Sequence, residues 1–305
     1  MLGRLVAFVI LVALLGSGPR PAAAVDVFDR VTDHYVDNAG VRIHYASLGR
    51  RGPLLVMIHG FPDFWYTWRE QMEALSHRFR VVALDQRGYN LSDAPSDPAA
   101  YDLDKLASDV AAVIHDAGAE QAVVIGHDWG GAVAWTFAIA YPQMTQRLII
   151  LNLPHPRALW RELRNSEAQR AASEYARNFQ TQTAAQLGLT PELLAAWVSD
   201  PVARAHYVDA FRRSNIDAML QYYKRNYPRE PYDDIALPNI KVPVLMFHGL
   251  DDPFLLAPAT DGTYQWIDGD FTLVTVPGAG HFVQHDASKL VTRRIAFWLA
   301  AQNVH

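Results

Sequence analysis

The stretch VVIGHDWGGAVAWTFAIAYP, residues 123–142, sets Asp128 between Gly126 and Gly130, with Gly131 next, where an apolar run meets an Ala-rich segment. Glycine-x-nucleophile-x-glycine is the spacing of a sharp strand-to-helix turn that pushes its central side chain beyond the carboxyl edge of a sheet. The flanking positions must be small because strand and helix backbones approach closely there. The N–H of Trp129, at the helix start, points at the same place. A serine at the centre would attack a substrate carbonyl. A carboxylate is ionised at neutral pH without help and attacks saturated carbon by displacement, forming an alkyl ester whose carbonyl belongs to the protein. Taken alone, glycines after a strand also make an ordinary tight turn.

Three further segments make the pattern specific. HGFPDFW, residues 59–65, follows the third predicted strand and offers the N–H of Phe61 as a second oxyanion donor, with Pro62 fixing the turn. HGLDDPFL ends a buried strand with Asp251 and Asp252, and PGAGHFVQHD puts His281 in a glycine-rich loop after the last strand. A lone loop histidine or an Asp-Asp-Pro turn is ordinary chemistry. Nucleophile Asp128, acid Asp252 and base His281, in that order and each at a strand's carboxyl end, form a triad. Water activated by His281, held and charge-balanced by Asp252, would attack the ester carbonyl, with Phe61 and Trp129 as oxyanion hole. The substrate then carries a leaving group on carbon, an epoxide oxygen or a halide.

The elements that must position these groups alternate. Segments RVTDHYVDN and VRIHYASLG read as an antiparallel hairpin about Asn38-Ala39-Gly40. Four runs apolar on both faces, PLLVMIHG, FRVVALD, QAVVIGHD and RLIILNLP, read as buried parallel strands. Helical patterns at 68–76, 103–116 and 130–140 separate them; VPVLMFHG and FTLVTVPG resume the strands, and ASKLVTRRIAFWLA closes the chain as an amphipathic helix. From Pro154 to about Leu237 the strand pattern stops, with helix starts at Thr190-Pro191-Glu192 and Asp200-Pro201. This predicts a main domain of residues 25–154 and 238–305 with a helical cap of residues 155–237 inserted in it.

The 305 residues are half hydrophobic, with a net charge of -5 and no basic stripe, which argues against nucleic acid as partner. Arg4, the apolar run Leu5 to Leu15, and Ala22 with Ala24 predict an export signal over residues 1–24, cleaved before Val25 and too short for a membrane span. A secreted or periplasmic protein follows, and without cysteine its fold rests on its core. His281 and His285 are spaced like a metal pair on a helix, but no acidic residue follows the first histidine, so no metal is expected. Asn90-Leu91-Ser92 fits a glycosylation acceptor in a host that glycosylates.

HGFPDFWYTWR, VVALDQRGYNLSDAP, GHDWGG, LNLPHP, GLDDPFL and GAGHF together resemble the epoxide hydrolases of the α/β-hydrolase fold over most of the chain after the signal. That resemblance implies a mostly parallel sheet with helices on both faces, no cofactor, and an apolar epoxide and water as substrates. It also implies two cap tyrosines that hold and protonate the ring oxygen. SEYARNFQ and MLQYYKRN nominate Tyr175 and Tyr223 for this; Tyr207 and Tyr222 read as packing residues. Gln221 stands where the family often has Asn, and Asn90 where it usually has Gly, a change that left-handed backbone tolerates. The aromatic neighbours Trp65, Trp129, Phe254 and Phe282 are expected to line an apolar substrate site. His155, in LNLPHP, is expected to order the junction into the cap.

GHDWGG is shared with haloalkane dehalogenases. Those usually carry Asn or a second Trp as halide donors, and position 61 here is Phe. A haloacid enzyme would place an arginine beside the nucleophile, where this chain has Trp129. A secreted binding protein that keeps the pocket without turnover is the third alternative, and the intact triad argues against it.

Overall fold

The computed structural model describes residues 25–302; the expected export signal lies outside them. Strands β1 (Thr32–Asn38) and β2 (Val41–Leu48) form the opening hairpin. Its two turn residues, Ala39 and Gly40, both take positive φ, 54° and 83°, as a two-residue type I′ turn demands. The four apolar runs become β3 (Leu54–Ile58), β4 (Arg80–Leu84), β5 (Ala122–His127) and β6 (Thr145–Leu151), and the later pair β7 (Val244–Gly249) and β8 (Phe271–Val276). Every residue of β3, β5 and β7 is buried, which explains segments apolar on both faces. β8 lies at the sheet edge and stays partly exposed.

The strand order is β1-β2-β4-β3-β5-β6-β7-β8, antiparallel in the first two pairings and parallel from β4 to β8. Helix α1 (Arg69–Leu75) joins β3 to β4, α2 (Leu103–Asp116) joins β4 to β5, and α3 (Trp129–Ala140) joins β5 to β6. The first crossover runs toward β2 and the next two run the other way. Right-handed connections therefore lay α1 on one face and α2 with α3 on the other. The reversal opens a crevice at the carboxyl ends of β3 and β5, where open α/β sheets bind ligands. The Phe61 loop and the Asp128 turn leave those same two strands.

Between β6 and β7 come α4 (Pro156–Asn165), α5 (Glu167–Ala172), α6 (Glu174–Thr181), α7 (Pro191–Leu194), α8 (Pro201–Arg213), α9 (Ile216–Met219) and α10 (Gln221–Asn226). Thr190 and Asp200 cap α7 and α8 through their side-chain oxygens, each followed by proline at the first helical position. After β8 follow α11 (Val283–Asp286) and α12 (Ser288–Ala301), the latter packed on α1. No described helix is long and apolar enough to cross a membrane.

Three polar contacts fasten the inserted helices to the sheet's loops. The Tyr207 hydroxyl donates to Asp63 Oδ1 at 2.7 Å, the Tyr222 hydroxyl to the Arg87 carbonyl at 2.9 Å, and Arg213 Nε to Asn90 Oδ1 at 2.9 Å. Both tyrosines are thus packing residues with a satisfied hydroxyl. Asn90 adopts φ of 44°, the left-handed backbone that asparagine tolerates. Its Nδ2 donates to Asp85 Oδ2 at 2.7 Å in a buried setting, so the folded chain offers no free amide there for glycosylation.

Candidate active site

Asp128 caps α3 with φ of 51° and ψ of -124°, a strained conformation for a residue with a Cβ. The surrounding glycines are spatial requirements. A Cβ on Gly126 would lie 2.2 Å from the Gly130 carbonyl oxygen, and one on Gly130 2.1 Å from that of Ile58. A Cβ on Gly60 would fall 2.3 Å from Asp128 Oδ1. Both motifs are therefore small so that the nucleophile can stand where it does.

Asp128 Oδ1 accepts the Phe61 N–H at 2.7 Å, and the Phe61–Pro62 peptide bond that follows is cis. Asp128 Oδ2 lies 3.5 Å from His281 Nε2, and His281 Nδ1 is 2.8 Å from Asp252 Oδ2. Asp252 is fixed in turn, its Oδ1 accepting the N–H groups of Phe254 at 2.8 Å and Leu255 at 3.1 Å. Among the described residues the Trp129 N–H, first of α3, has no hydrogen-bond partner and faces the helix N-terminus, where negative charge is favoured.

Burial by itself would raise both carboxyl pKa values. The His281 charge outweighs it, holding Asp128 below its ordinary value and Asp252 at about 2. Burial likewise opposes charge on His281, yet Asp252 and Asp128 together lift it to about 10. Both carboxylates therefore favour the charged form of the imidazole that lies between them.

Two polar residues that sequence reasoning passed over support this arrangement. Asn152, at φ of 44° just past β6, donates from Nδ2 to Asp252 Oδ2 at 2.7 Å and to the Gly280 carbonyl at 3.1 Å. It ties the ends of β6 and β7 to the His281 loop. The available signal was a polar residue closing an apolar strand at its carboxyl end, where burial obliges it to find partners. His127 Nε2 meets the His281 carbonyl at 2.8 Å and steadies the same loop.

A cavity of about 350 Å³ opens on Asp128 and Trp129. The inserted helices add Tyr175 from α6 and Tyr223 from α10, with Tyr227 just beyond it, and the remaining wall is mostly apolar, including Ile139, Leu153, Leu159 and Trp160, with Thr136 and Asn226 as polar members. The Tyr175 and Tyr223 rings lie 6.0 Å apart at 78°, and Tyr223 meets Trp129 edge-on at 5.0 Å. Burial pushes both phenols well above the usual tyrosine range, and the neighbouring tyrosines and Asp128 push them further. Both hydroxyls keep their protons at neutral pH and are available as donors.

The other aromatic candidates need correction. Trp65 does not line the cavity: its ring packs on Phe28 and Tyr66, both at 5.5 Å, while its backbone N–H donates to Asp85 Oδ1 at 3.0 Å. Phe282 stacks flat on Trp197 at 3.9 Å and backs His281 rather than facing the cavity. Phe254 sits edge-on between His281 at 5.4 Å and Tyr175 at 5.0 Å, so it shapes the triad's flank while Leu255 reaches the cavity wall. His285 Nε2 is engaged with Thr67 Oγ1 at 2.8 Å, a contact that gives it a structural partner of its own. His155 caps α4, accepting the Arg157 N–H, and its ring stacks on Trp266 at the entry to the inserted helices.

Fold and site together define an α/β hydrolase with aspartate as its nucleophile candidate, and residues 53–288 match the alpha/beta hydrolase fold family. Epoxide hydrolase 3 of Xenopus tropicalis is 31% identical over 310 residues, spanning 92% of this chain and 82% of that protein. Epoxide hydrolase 4 of Homo sapiens is 31% identical over 85% of this chain and 76% of its own length. The crystal structure of Bacillus megaterium epoxide hydrolase with an inhibitor, 32% identical, superposes with a TM-score of 0.80 over 88% of this chain and 100% of that one. The chain belongs to the epoxide hydrolases of the α/β-hydrolase superfamily.

Proposed function

We propose that this protein converts an apolar epoxide to a vicinal diol through an alkyl ester on Asp128. The observation that carries the reading is one cavity shared by the Asp128 carboxylate and two protonated phenols, Tyr175 and Tyr223. Epoxide opening leaves an alkoxide, a poor leaving group that needs an acid, whereas halide needs only hydrogen-bond donors. Because the Phe61 N–H holds Oδ1, Oδ2 is the oxygen left to attack ring carbon. The carbon–oxygen bond breaks toward the ring oxygen, which receives hydrogen bonds from both phenols and a proton from one.

Ester formation then discharges Asp128. His281 loses one of the two carboxylates that lift its pKa to about 10 and becomes able to release its proton, which restores the phenol. The neutral imidazole takes a proton from water as the water oxygen attacks Asp128 Cγ. Phe61 and Trp129 N–H groups receive the oxyanion. Collapse expels the diol with the former Oδ2 and regenerates carboxylate, imidazolium and phenol, so protons balance over the cycle.

This charge coupling fixes the pH dependence of each step. Asp128 stays ionised because its pKa lies below the ordinary value, and the phenols stay protonated because theirs lie above, so alkylation should be flat between about pH 6 and 9. Ester hydrolysis should rise with pH through the His281 of the ester form, at a pKa below the value of about 10 in the free enzyme. Single-turnover rates of the two steps across pH check this. Hydrolysis independent of pH, with alkylation following a base, would reverse the assignment. A panel of epoxides and haloalkanes, scored separately for diol and halide, tests the reaction class: diol release alone is expected, and halide release alone would favour the dehalogenase reading.

A further inference from the structure

We propose that Gln180 is a positioning residue that sets the two acid tyrosines relative to each other. This rests on the two-phenol reading of the site. Gln180 lies on α6, five positions after Tyr175, and its side chain crosses to α10. There Nε2 donates to the Tyr227 carbonyl at 2.9 Å and to the Tyr223 carbonyl at 3.3 Å. The target is the backbone of Tyr223 itself and the residue that ends its helix.

The location gives this contact its leverage. The Tyr223 carbonyl already accepts the Tyr227 N–H at 3.2 Å, so Gln180 adds a second donor there, and at the Tyr227 carbonyl, just past the helix, it supplies a donor from another element. With only six residues, α10 is too short to hold its own geometry and depends on what it packs against. Its main helical neighbour is α6: Phe179, next to Gln180, meets the Tyr223 ring edge-on at 4.9 Å and the Tyr175 ring at 5.5 Å. One helix therefore carries the first phenol, the aromatic spacer and the amide that grips the backbone of the second phenol. The Tyr222 hydroxyl ties α10 to the Arg87 loop, whereas the pair of directional bonds from Gln180 ties it to α6. The register of α6 against α10 in turn sets the two hydroxyls relative to each other for one ring oxygen. Gln180 is not part of the cavity wall, so its effect must pass through the tyrosines.

The test uses Gln180→Leu and Gln180→Glu in single-turnover experiments on the full protein. Gln180→Leu should slow alkylation by about 10-fold, on the scale set by sub-ångström misplacement of a catalytic group, and leave ester hydrolysis within about twofold. In a Tyr175→Phe/Tyr223→Phe background the same change should cost almost nothing further, because nothing remains for it to position. Gln180→Glu is of the same size but sets a carboxylate against two carbonyls. Its deficit against the wild type at equal pH should shrink as the carboxyl protonates toward about pH 4 and can donate again. This signature stands even if the leucine variant does not fold. Wild-type alkylation in Gln180→Leu, equal slowing of both steps, an undiminished effect without the tyrosines, or a pH-independent glutamate deficit would each overturn the proposal. Failure of the acid reading is separable, since the tyrosine changes alone would then leave alkylation at its wild-type rate.

Discussion

Protein carrying His281→Gln is expected to stop after one turnover with the substrate attached to Asp128. Under the proposed mechanism Asp128 needs no base to attack, so alkylation survives; hydrolysis loses the group assigned to activate water. A positioned general base contributes on the order of 100- to 10,000-fold, and steady-state diol formation should fall by that factor while adduct accumulates to one per chain. The substitution also removes the charge that offsets burial of Asp128, so alkylation in the variant should titrate at higher pH than in the wild type. Mass spectrometry should find the adduct, equal in mass to the intact epoxide, on the peptide holding Asp128. Asp128→Ala should form no adduct and turn over nothing. An adduct elsewhere, or undiminished steady turnover in His281→Gln, would sink the two-step mechanism.

The second large effect belongs to the opposite wall of the cavity. With Tyr175→Phe or Tyr223→Phe alone, one phenol remains to stabilise the developing alkoxide, and alkylation should slow moderately. With both changed, the oxygen loses both assigned donors in a wall that is otherwise mostly apolar, Tyr227 being the phenol that remains. Alkylation should then fall toward the upper part of the roughly 100- to 10,000-fold range of general-acid effects. Ester hydrolysis, measured on pre-formed ester, should hardly change, since its oxyanion forms at Phe61 and Trp129. Each Phe replacement keeps the ring that packs on Phe179, so the fold should hold. A double variant that alkylates at the wild-type rate would make both tyrosines packing residues and return the halide reading to contention.

Much of this site is legible in the chain because its constraints are local. Gly126 is readable since strand and helix must nearly touch there, a demand met within five residues, whereas Gly130 also makes room for the Ile58 carbonyl of a neighbouring strand. Burial on both faces writes itself as uninterrupted apolar runs, which is why β3 to β7 stand out, and proline after Thr190 or Asp200 marks a helix start by removing an N–H the helix does not need. The aromatic lining was not legible. Trp65 and Trp129 both follow a strand and both look like pocket residues, yet the Trp65 ring packs on Phe28 and Tyr66, residues outside the cavity lining.

Residue types and order along the chain by themselves nominate the groups of the proposed reaction: a carboxylate nucleophile, a base and acid later in the chain, and an inserted helical segment bearing phenols. Only the tertiary structure decided the surroundings and support of those groups. The two carboxylates that push the His281 pKa up meet it only on folding, one of them from a strand end far away in sequence. Asn152 finds Asp252 across 100 residues, and Gln180 finds the Tyr223 backbone across 43. Electrostatics and hydrogen bonds act through space at a few ångströms, and periodicity along a chain carries no record of which distant residues folding will bring that close.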